Sequence, residues 1–194
     1  MADTTFDFND GNGPVKAHKH SNGGGWVADT ATVEKSSYVS GDVQVYGDAR
    51  VYGDALVYGD ALVYGNARVY GNALVSGNAR VYGDAQVSGD AWVYGDALVS
   101  GNARVSGNAQ VSGNAQVSGN AQVSGNAQVE ITPICISGLV YNITIYSGFA
   151  QVGCRLYTIS EWRTKTAQEA AEMDGDRSTE FYPKLINIFN ALGL

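Results

Sequence analysis

Residues 45–62 read VYGDARVYGDALVYGDAL, and this stretch contains the pattern that decides the fold. Valine stands first in each group of six residues and is followed by Tyr, Gly, Asp, Ala and one variable residue. Valine recurs at every sixth position from Val27 to Val129, which gives eighteen hexapeptides without a slip. A period this strict indicates a repeat architecture in which every unit has the same local structure.

Each hexapeptide combines a short strand with a tight turn. The alternation Ala-x-Val-x places two small apolar side chains on one side and two side chains outside, the period-two signature of a strand. Gly followed by Asp or Asn then ends the strand, because these residues accept the positive φ angles of tight turns. Such units can coil with three strands, or about eighteen residues, per turn. We therefore predict about six coils and a stack ~29 Å long.

This pattern resembles the bacterial hexapeptide-repeat superfamily, whose members form left-handed parallel β-helices and are often trimeric. The resemblance covers residues 27–129 and implies a mainly β fold, a left-handed parallel β-helix of about six coils. The hand follows from the resemblance alone, since parallel crossovers are ordinarily right-handed. Family hexapeptides place Gly directly after the aliphatic residue, whereas this chain places it one position later. The right-handed β-helix of bactofilin-like polymers therefore stays an alternative.

We expect three segments along the chain. Residues 1–26 form an N-terminal capping segment, in which Trp26 is expected to be largely buried and to cap the open end of the first coil. Residues 27–130 form the hexapeptide-repeat β-helix, and residues 131–194 form a small C-terminal α+β module.

The C-terminal module is predicted to combine strands with helices. Apolar residues alternate as in strands over 131–136, 139–145 and 149–157. Thr158 and Thr166, each followed three residues later by Glu, are capping-box patterns that start two short helices.

A further helix is predicted near the C-terminus. Gly175 ends the helix before it, and Phe181, Leu185 and Ile188 then lie along one helical stripe that we expect to be buried. Pro183 is expected to start or kink this last helix.

Short motifs outside the coil resemble those of uncharacterised phage hexapeptide-repeat proteins. The tail has GCR at 153–155, SEW at 160–162 and AEMD at 171–174, in the order found in those proteins. The run at 22–33 is similar to the segment that leads into their coils. This resemblance spans nearly the whole chain. It implies a phage or prophage origin and no known activity.

Folding the sequence at eighteen residues per coil assigns the outward side chains to three faces, each with residues before and after its valines. Face one carries Gln44, Leu62, Arg80, Leu98 and Gln116, with Tyr46, Tyr64 and Tyr82. Face two carries Arg50, Arg68, Gln86, Arg104 and Gln122, with Tyr52 and Tyr70. Face three carries Leu56, Leu74 and Trp92, with Tyr58 and Tyr94, and then Gln110 and Gln128. Face three is therefore the most apolar and face two the basic one.

Face three is predicted to be an interface. Leu56, Tyr58, Leu74, Trp92 and Tyr94 would form an unusual exposed apolar patch on a monomer. We expect this patch to be buried in a homo-oligomer, a trimer by resemblance to the superfamily, or under the C-terminal segment. The alternative is that these side chains simply protect the strands.

Face two is predicted to contact solvent or an acidic partner. Arg50, Arg68 and Arg104 stand in one column, beside Tyr52 and Tyr70. This column cannot pack against its own copy without opposing like charges, so it is unsuited to self-association.

The residues of the coil argue against catalysis. Acyltransferases of the superfamily use a histidine as general base, and γ-class carbonic anhydrases bind zinc through three histidines. This chain has no His between residues 21 and 194 and no Lys, Cys or Glu between 36 and 129. We predict no catalytic residue, no metal ligand and no cofactor. His18 and His20 are at most half of a metal site, and a degenerate acyltransferase is the enzyme alternative.

Charge excludes several classes of partner. The net charge of −7 argues against binding to nucleic acid or to an anionic membrane. A DNA mimic ~29 Å long would need roughly 17 negative charges, whereas residues 45–129 carry six Asp and four Arg. No signal peptide or membrane span is evident, and the only cysteines are Cys135 and Cys154. We therefore expect a cytoplasmic protein with reduced thiols.

Together these features predict a non-catalytic, oligomeric binding scaffold. For a phage-encoded chain, the expected role is to bind or sequester a host factor, with inhibition of a host defence enzyme as one form of it. A structural spacer associated with the virion or tail is the alternative.

Overall fold

The structure, a computed structural model, describes residues 4–194 apart from the side chains of Ala167, Ala170, Ala171 and Met173. The chain divides into two compact units, one that ends at Pro133 and one that comprises Ile134–Leu194. The first contains a β-solenoid of six coils. The second contains a small antiparallel sheet and helices. The protein is therefore mainly β, and the predicted coil of about six turns is confirmed; its hand stays a prediction.

Three sheets of parallel strands form the solenoid, and each sheet takes one strand from every coil. Face one contains Trp26–Ala28, Gln44–Val45, Leu62–Val63, Arg80–Val81, Leu98–Val99 and Gln116–Val117. Face two contains Thr32–Val33, Arg50–Val51, Arg68–Val69, Gln86–Val87, Arg104–Val105 and Gln122–Val123. Face three contains Tyr38–Val39, Leu56–Val57, Leu74–Val75, Trp92–Val93, Gln110–Val111 and Gln128–Val129. The assignment of residues to faces is thus as the sequence predicted.

The interior of the solenoid consists of valine and alanine. Seventeen of the eighteen repeat valines are at most 1% exposed. The exception is Val33 in the first coil, which is half-buried although its strand pairs in register with Arg50–Val51. The predicted inward orientation of the valines is therefore confirmed. Val33 lies on the edge strand of the face-two sheet, whereas N-terminal residues cover Val27 and Val39 in the same coil.

The turns need glycine for two reasons. Gly59 has a φ of +72°, a conformation that L side chains rarely adopt. A Cβ atom at this position would also lie 2.9 Å from the amide nitrogen of Gly77 in the next coil. The hydrogen-bonded stacking of coils therefore leaves no room for a side chain at the turn.

The N-terminal residues extend the face-one sheet. Thr5–Phe6 and Val15–Lys19 pair antiparallel, and the second of these strands pairs antiparallel with Trp26–Ala28. The Gly run approaches the first coil so closely that a Cβ atom at Gly23 would overlap the carbonyl oxygen of Val39. This segment covers the sheet edge that the first coil would otherwise expose.

The expectation that Trp26 caps the open end of the coil is wrong. Trp26 is only half-buried, because it lies one residue before the inward Val27 and so occupies an outward position. Its ring stacks on Phe6 at a centroid distance of 4.3 Å, and Lys19 Nζ lies 4.4 Å from its ring centroid.

The second unit has a four-stranded antiparallel sheet of Ile134–Ile136, Ile143–Tyr146, Phe149–Val152 and Arg155–Thr158. Helices α1 (Ile159–Thr164), α2 (Ala167–Asp174) and α3 (Asp176–Ala191) follow. Both capping boxes are confirmed: Thr158 Oγ1 accepts from the Glu161 amide, and Thr166 Oγ1 accepts from the Glu169 amide.

One sequence prediction for this unit is wrong. The predicted strand 149–157 is a hairpin, because Gly153 adopts a φ of +56° and turns the chain. One of the two alternatives for Pro183 is also excluded: α3 begins at Asp176, directly after Gly175, so Pro183 lies inside the helix and does not start it. A kink at Pro183 stays a prediction.

The predicted stripe on α3 is buried within its own unit in two of its three positions. Phe181 and Leu185 pack in a core with Ile143 and Trp162, while Ile188 is half-buried at the edge of this core.

We expect Gly59→Ala to destabilise the solenoid more than Gly119→Ala. Gly119 also has a positive φ, +64°, but no atom lies within 4 Å of its Cβ position. Gly119→Ala should therefore cost only the left-handed strain of about 1–2 kcal/mol, whereas Gly59→Ala adds the clash with Gly77. Urea unfolding of both variants checks this, and equal losses would contradict the close approach.

Candidate functional site: the outer faces of the solenoid

Face three presents a continuous apolar column. Leu74 lies between Leu56 and Trp92 in the register of the sheet. Leu56 is 39% and Trp92 47% exposed, and Tyr58 beside them is 39% exposed. Leu74 and Tyr94 are half-buried. The column predicted from the sequence is therefore present, with its largest side chains directed away from the core.

One residue of this column was missed by the sequence reasoning. Tyr38 pairs in register with Leu56 and is 38% exposed, so the apolar column begins in the first coil. The signal was available, since Tyr38 precedes Val39 by the same rule that places Leu56 before Val57.

Face two presents arginine and tyrosine side by side. Arg50 and Arg68 are register partners, and Gln86 separates Arg68 from Arg104. All three arginine side chains are exposed. Tyr52 and Tyr70 stack next to the first two, with ring centroids 4.9 Å apart and an interplanar angle of 3°. The structure thus brings together the arginines and tyrosines that the sequence suggested for a partner.

Face one presents an aromatic ladder that the N-terminal segment continues. The rings of Tyr46, Tyr64 and Tyr82 stack with centroids 4.9 and 4.8 Å apart. Phe8 stacks on Tyr46 at 4.9 Å and is itself buried. Burial, with the neighbouring Tyr64 hydroxyl as a second cause, raises the pKa of Tyr46 to about 12. These three tyrosines are half-buried, whereas Leu56, Tyr58 and Trp92 of face three are exposed.

Most corners of the solenoid keep carboxylates apart, although Asp42 and Asp60 occupy the same corner position in successive coils. From Asp48 onward, residues eighteen positions apart at the corners alternate between Asp and Asn over four successive coils, as at positions 48, 66, 84 and 102. Asn72 Nδ2 donates to Asp90 Oδ1 at 2.8 Å, and Asn66 donates to Asp84 at 3.1 Å in the same way. Each of these carboxylates therefore accepts an amide hydrogen bond from the preceding coil and faces no second carboxylate there. Such an arrangement supports the stack and does not concentrate charge for a metal ion.

The two N-terminal histidines have separate partners. His18 Nδ1 lies 3.0 Å from Asp29 Oδ1 on an exposed surface. His20 is buried, and its Nε2 lies 3.0 Å from the carbonyl oxygen of Ser37. Within residues 4–194, no group of three or more His, Cys, Asp or Glu side chains is placed to hold a metal ion.

A cleft of about 420 Å³ lies beside the N-terminal segment and is lined by Phe8, Lys16, Asp29, Thr30 and Tyr46 among others. Thr30 Oγ1 already donates to a backbone carbonyl at 2.6 Å, and Asp29 lies against an imidazole.

Cys135 is half-buried, Cys154 is exposed, and both are free thiols. None of the helices that the structure describes is both long and apolar enough to span a bilayer.

The family model described as the YdcK beta solenoid repeat matches the coil at residues 43–59, 61–77, 67–83, 73–89, 85–101, 97–113, 109–125 and 115–130. The starting positions of these matches differ by multiples of six, so every match keeps the hexapeptide register. A search of curated proteins and a search of solved structures returned no match. The coil is therefore similar to a known repeat, in agreement with its β-solenoid fold.

We expect Asn72→Asp to destabilise the solenoid through its corner column. The new carboxylate would lie between Asp54 and Asp90, one strand spacing of ~4.8 Å from each. Like charges at this distance cost on the order of 1 kcal/mol in water, and salt should reduce the effect.

Asn126→Asp is the matched control, because its neighbour in the same column is Asn108, whose Nδ2 already donates to it. We expect a change within about 0.5 kcal/mol for this surface substitution. Urea unfolding at low and high salt compares the two variants. A salt-independent loss in Asn72→Asp would argue against charge separation as the reason for the Asp/Asn alternation.

Proposed function

We propose that this protein is a non-catalytic scaffold that self-associates through face three and binds a partner protein. The observation that carries the proposal is the exposed apolar column of Leu56, Leu74 and Trp92, which is continuous over successive coils. Contiguous apolar patches on soluble proteins mark interaction sites. Full burial of one exposed large side chain contributes about 1.5–3 kcal/mol, so the partly exposed side chains of the column contribute a share of this toward association, against the ordering costs.

Charge supports the choice of face three over face two. Two copies of face two would bring Arg50, Arg68 and Arg104 against the same residues, whereas face three has no charged side chain in its column. We propose a homotrimer, by resemblance to the hexapeptide-repeat superfamily. The residues of the coil support a role without catalysis, since residues 36–129 contain no His, Cys, Lys or Glu.

The partner is proposed from the resemblance of the chain ends to phage hexapeptide-repeat proteins. As a phage or prophage protein, this chain would bind or sequester a host factor in the cytoplasm of the host cell, and inhibition of a host defence enzyme would be one such role. The similarity of residues 22–33 and of the tail motifs to those proteins supports this origin.

Light scattering of the full chain tests assembly. We expect the wild type to be oligomeric and the Leu56→Glu/Trp92→Glu variant to be monomeric, because two charges would be buried in the interface. Leu62→Glu/Leu98→Glu is the matched control: it places the same charges two coils apart at the same repeat position of face one. It should keep the wild-type oligomer.

Circular dichroism of both double variants verifies that the solenoid folds. A monomeric wild type, or a folded Leu56→Glu/Trp92→Glu variant with the wild-type mass, would contradict assembly through face three.

A structural spacer in the virion is the second candidate, and one observation favours it. Residues 105–128 consist of identical VSGNAQ hexapeptides, whose outward side chains are small or polar, as in a passive rod. Mass spectrometry of purified virions from a producing host distinguishes the two roles. We expect the protein in the host lysate and not in the virion; its recovery in virions at structural stoichiometry would favour the spacer.

A further inference from the structure

Arg50 and Arg68 form an unusual pair on face two. They are register partners on neighbouring parallel strands, so their Cα atoms lie ~4.8 Å apart. Both side chains are exposed, and among the described residues neither guanidinium group has a hydrogen-bond or ion-pair partner. Like charges directly opposite each other destabilise a sheet. The pair is therefore unfavourable in the protein by itself.

From Asp48 onward, the rest of the solenoid keeps like charges apart. No two Asp residues from there on are neighbours in a corner column, although Asp42 precedes Asp60 in one of them. Gln86 separates Arg68 from Arg104, and Arg80 lies between two leucines. In the strands that the structure describes, Arg50 and Arg68 are the only register partners with the same charge. This exception points to a ligand of opposite charge.

We propose that this ligand is an acidic, extended segment of a partner protein that lies along face two. A carboxylate accepts two parallel hydrogen bonds from one guanidinium group, which suits side chains of Asp or Glu. Tyr52 and Tyr70 stack beside the pair, and Arg and Tyr are the residues most enriched in protein interfaces. The inference rests on the proposed function and specifies the chemistry of the partner that the scaffold binds.

The spacing of the column fits an extended chain. Arg50 and Arg104 are three strand spacings apart, ~14 Å. An extended segment places alternate side chains on one side about 6.7 Å apart, so three successive carboxylates on that side span about 13 Å. Arg50, Arg68 and Arg104 can each reach one of them, and the Gln86 amide lies between the arginines to bind the backbone of the segment.

A wide polyanion fits face two less well than a narrow segment. The corner positions on the two sides of face two carry Asp48 and Asp84 on one side and Asp54 and Asp90 on the other. A duplex nucleic acid would approach these carboxylates, whereas a single extended chain contacts only the strip between them. The electrostatics of the face therefore select a peptide.

Fluorescence anisotropy with the full-length protein tests the proposal. The probe is a short labelled peptide of alternating Glu and Thr, and the same peptide with Gln in place of Glu is its neutral counterpart. We expect the acidic peptide alone to bind, more weakly as salt increases. Arg50→Gln/Arg68→Gln should weaken binding about tenfold, because it removes two charge-assisted contacts.

Arg80→Gln is the matched control, since it removes one arginine from the same repeat position of face one and should leave the affinity unchanged. An equal loss in Arg80→Gln would overturn the proposal, because binding would then follow total charge. Displacement of the peptide by inorganic phosphate at matched ionic strength would also overturn it, as would equal binding of duplex DNA.

Light scattering of Arg50→Gln/Arg68→Gln separates this inference from the assembly on which it rests. The variant should keep the wild-type oligomer, because face three is unchanged. If the peptide does not bind while the oligomer persists, the acidic partner is wrong and assembly through face three stands. If the wild type is monomeric and still binds the peptide, assembly is wrong and the site on face two stands.

Discussion

The backbone hydrogen bonds between successive coils are the interaction on which the rest of the molecule depends. The amide of Arg50 donates to the carbonyl oxygen of Ala67 at 2.9 Å, and that of Tyr52 donates to Val69 at 3.0 Å. The same bonds recur from coil to coil, so residues eighteen positions apart become neighbours. A slip of one residue would turn every valine outward, and the burial of valine and alanine therefore fixes the register that these bonds maintain.

A consequence of this register is that one uniform interior supports three different exteriors. Valine and alanine fill the core behind every face, so the outward residues vary without changing the packing. Face three is apolar around Trp92, face two is basic around Arg50 and Arg68, and face one carries the tyrosine ladder that continues into Phe8. The proposed self-association and the proposed partner binding would thus use separate faces of the solenoid.

Stacking also creates an electrostatic cost. A charged residue that recurs every eighteen positions lies next to a residue of the same charge in the neighbouring coil. From Asp48 onward the corner columns avoid this cost by alternating Asp with Asn in successive coils, and Asn78 Nδ2 donates to Asp96 Oδ1 at 2.8 Å. In this setting the adjacent Arg50 and Arg68 stand out. The repulsion between these two arginines is unfavourable for the fold, and a single substitution at either position would remove it. A residue pair that breaks the local pattern in this way points to a role in binding.

The sequence by itself determined the solenoid, its inward valines and the residues of each face, because the period of six and the stacking of three strands per coil are local rules repeated without interruption. It also placed both capping boxes, in which the partners are three residues apart. Only the tertiary structure decided that Trp26 lies outside the core and that α3 passes through Pro183. Outside the coil, position depends on packing between residues distant in the chain. Such packing overrides what the local sequence around a proline or a tryptophan predicts. Inside the coil, the local sequence pattern and the long-range packing agree.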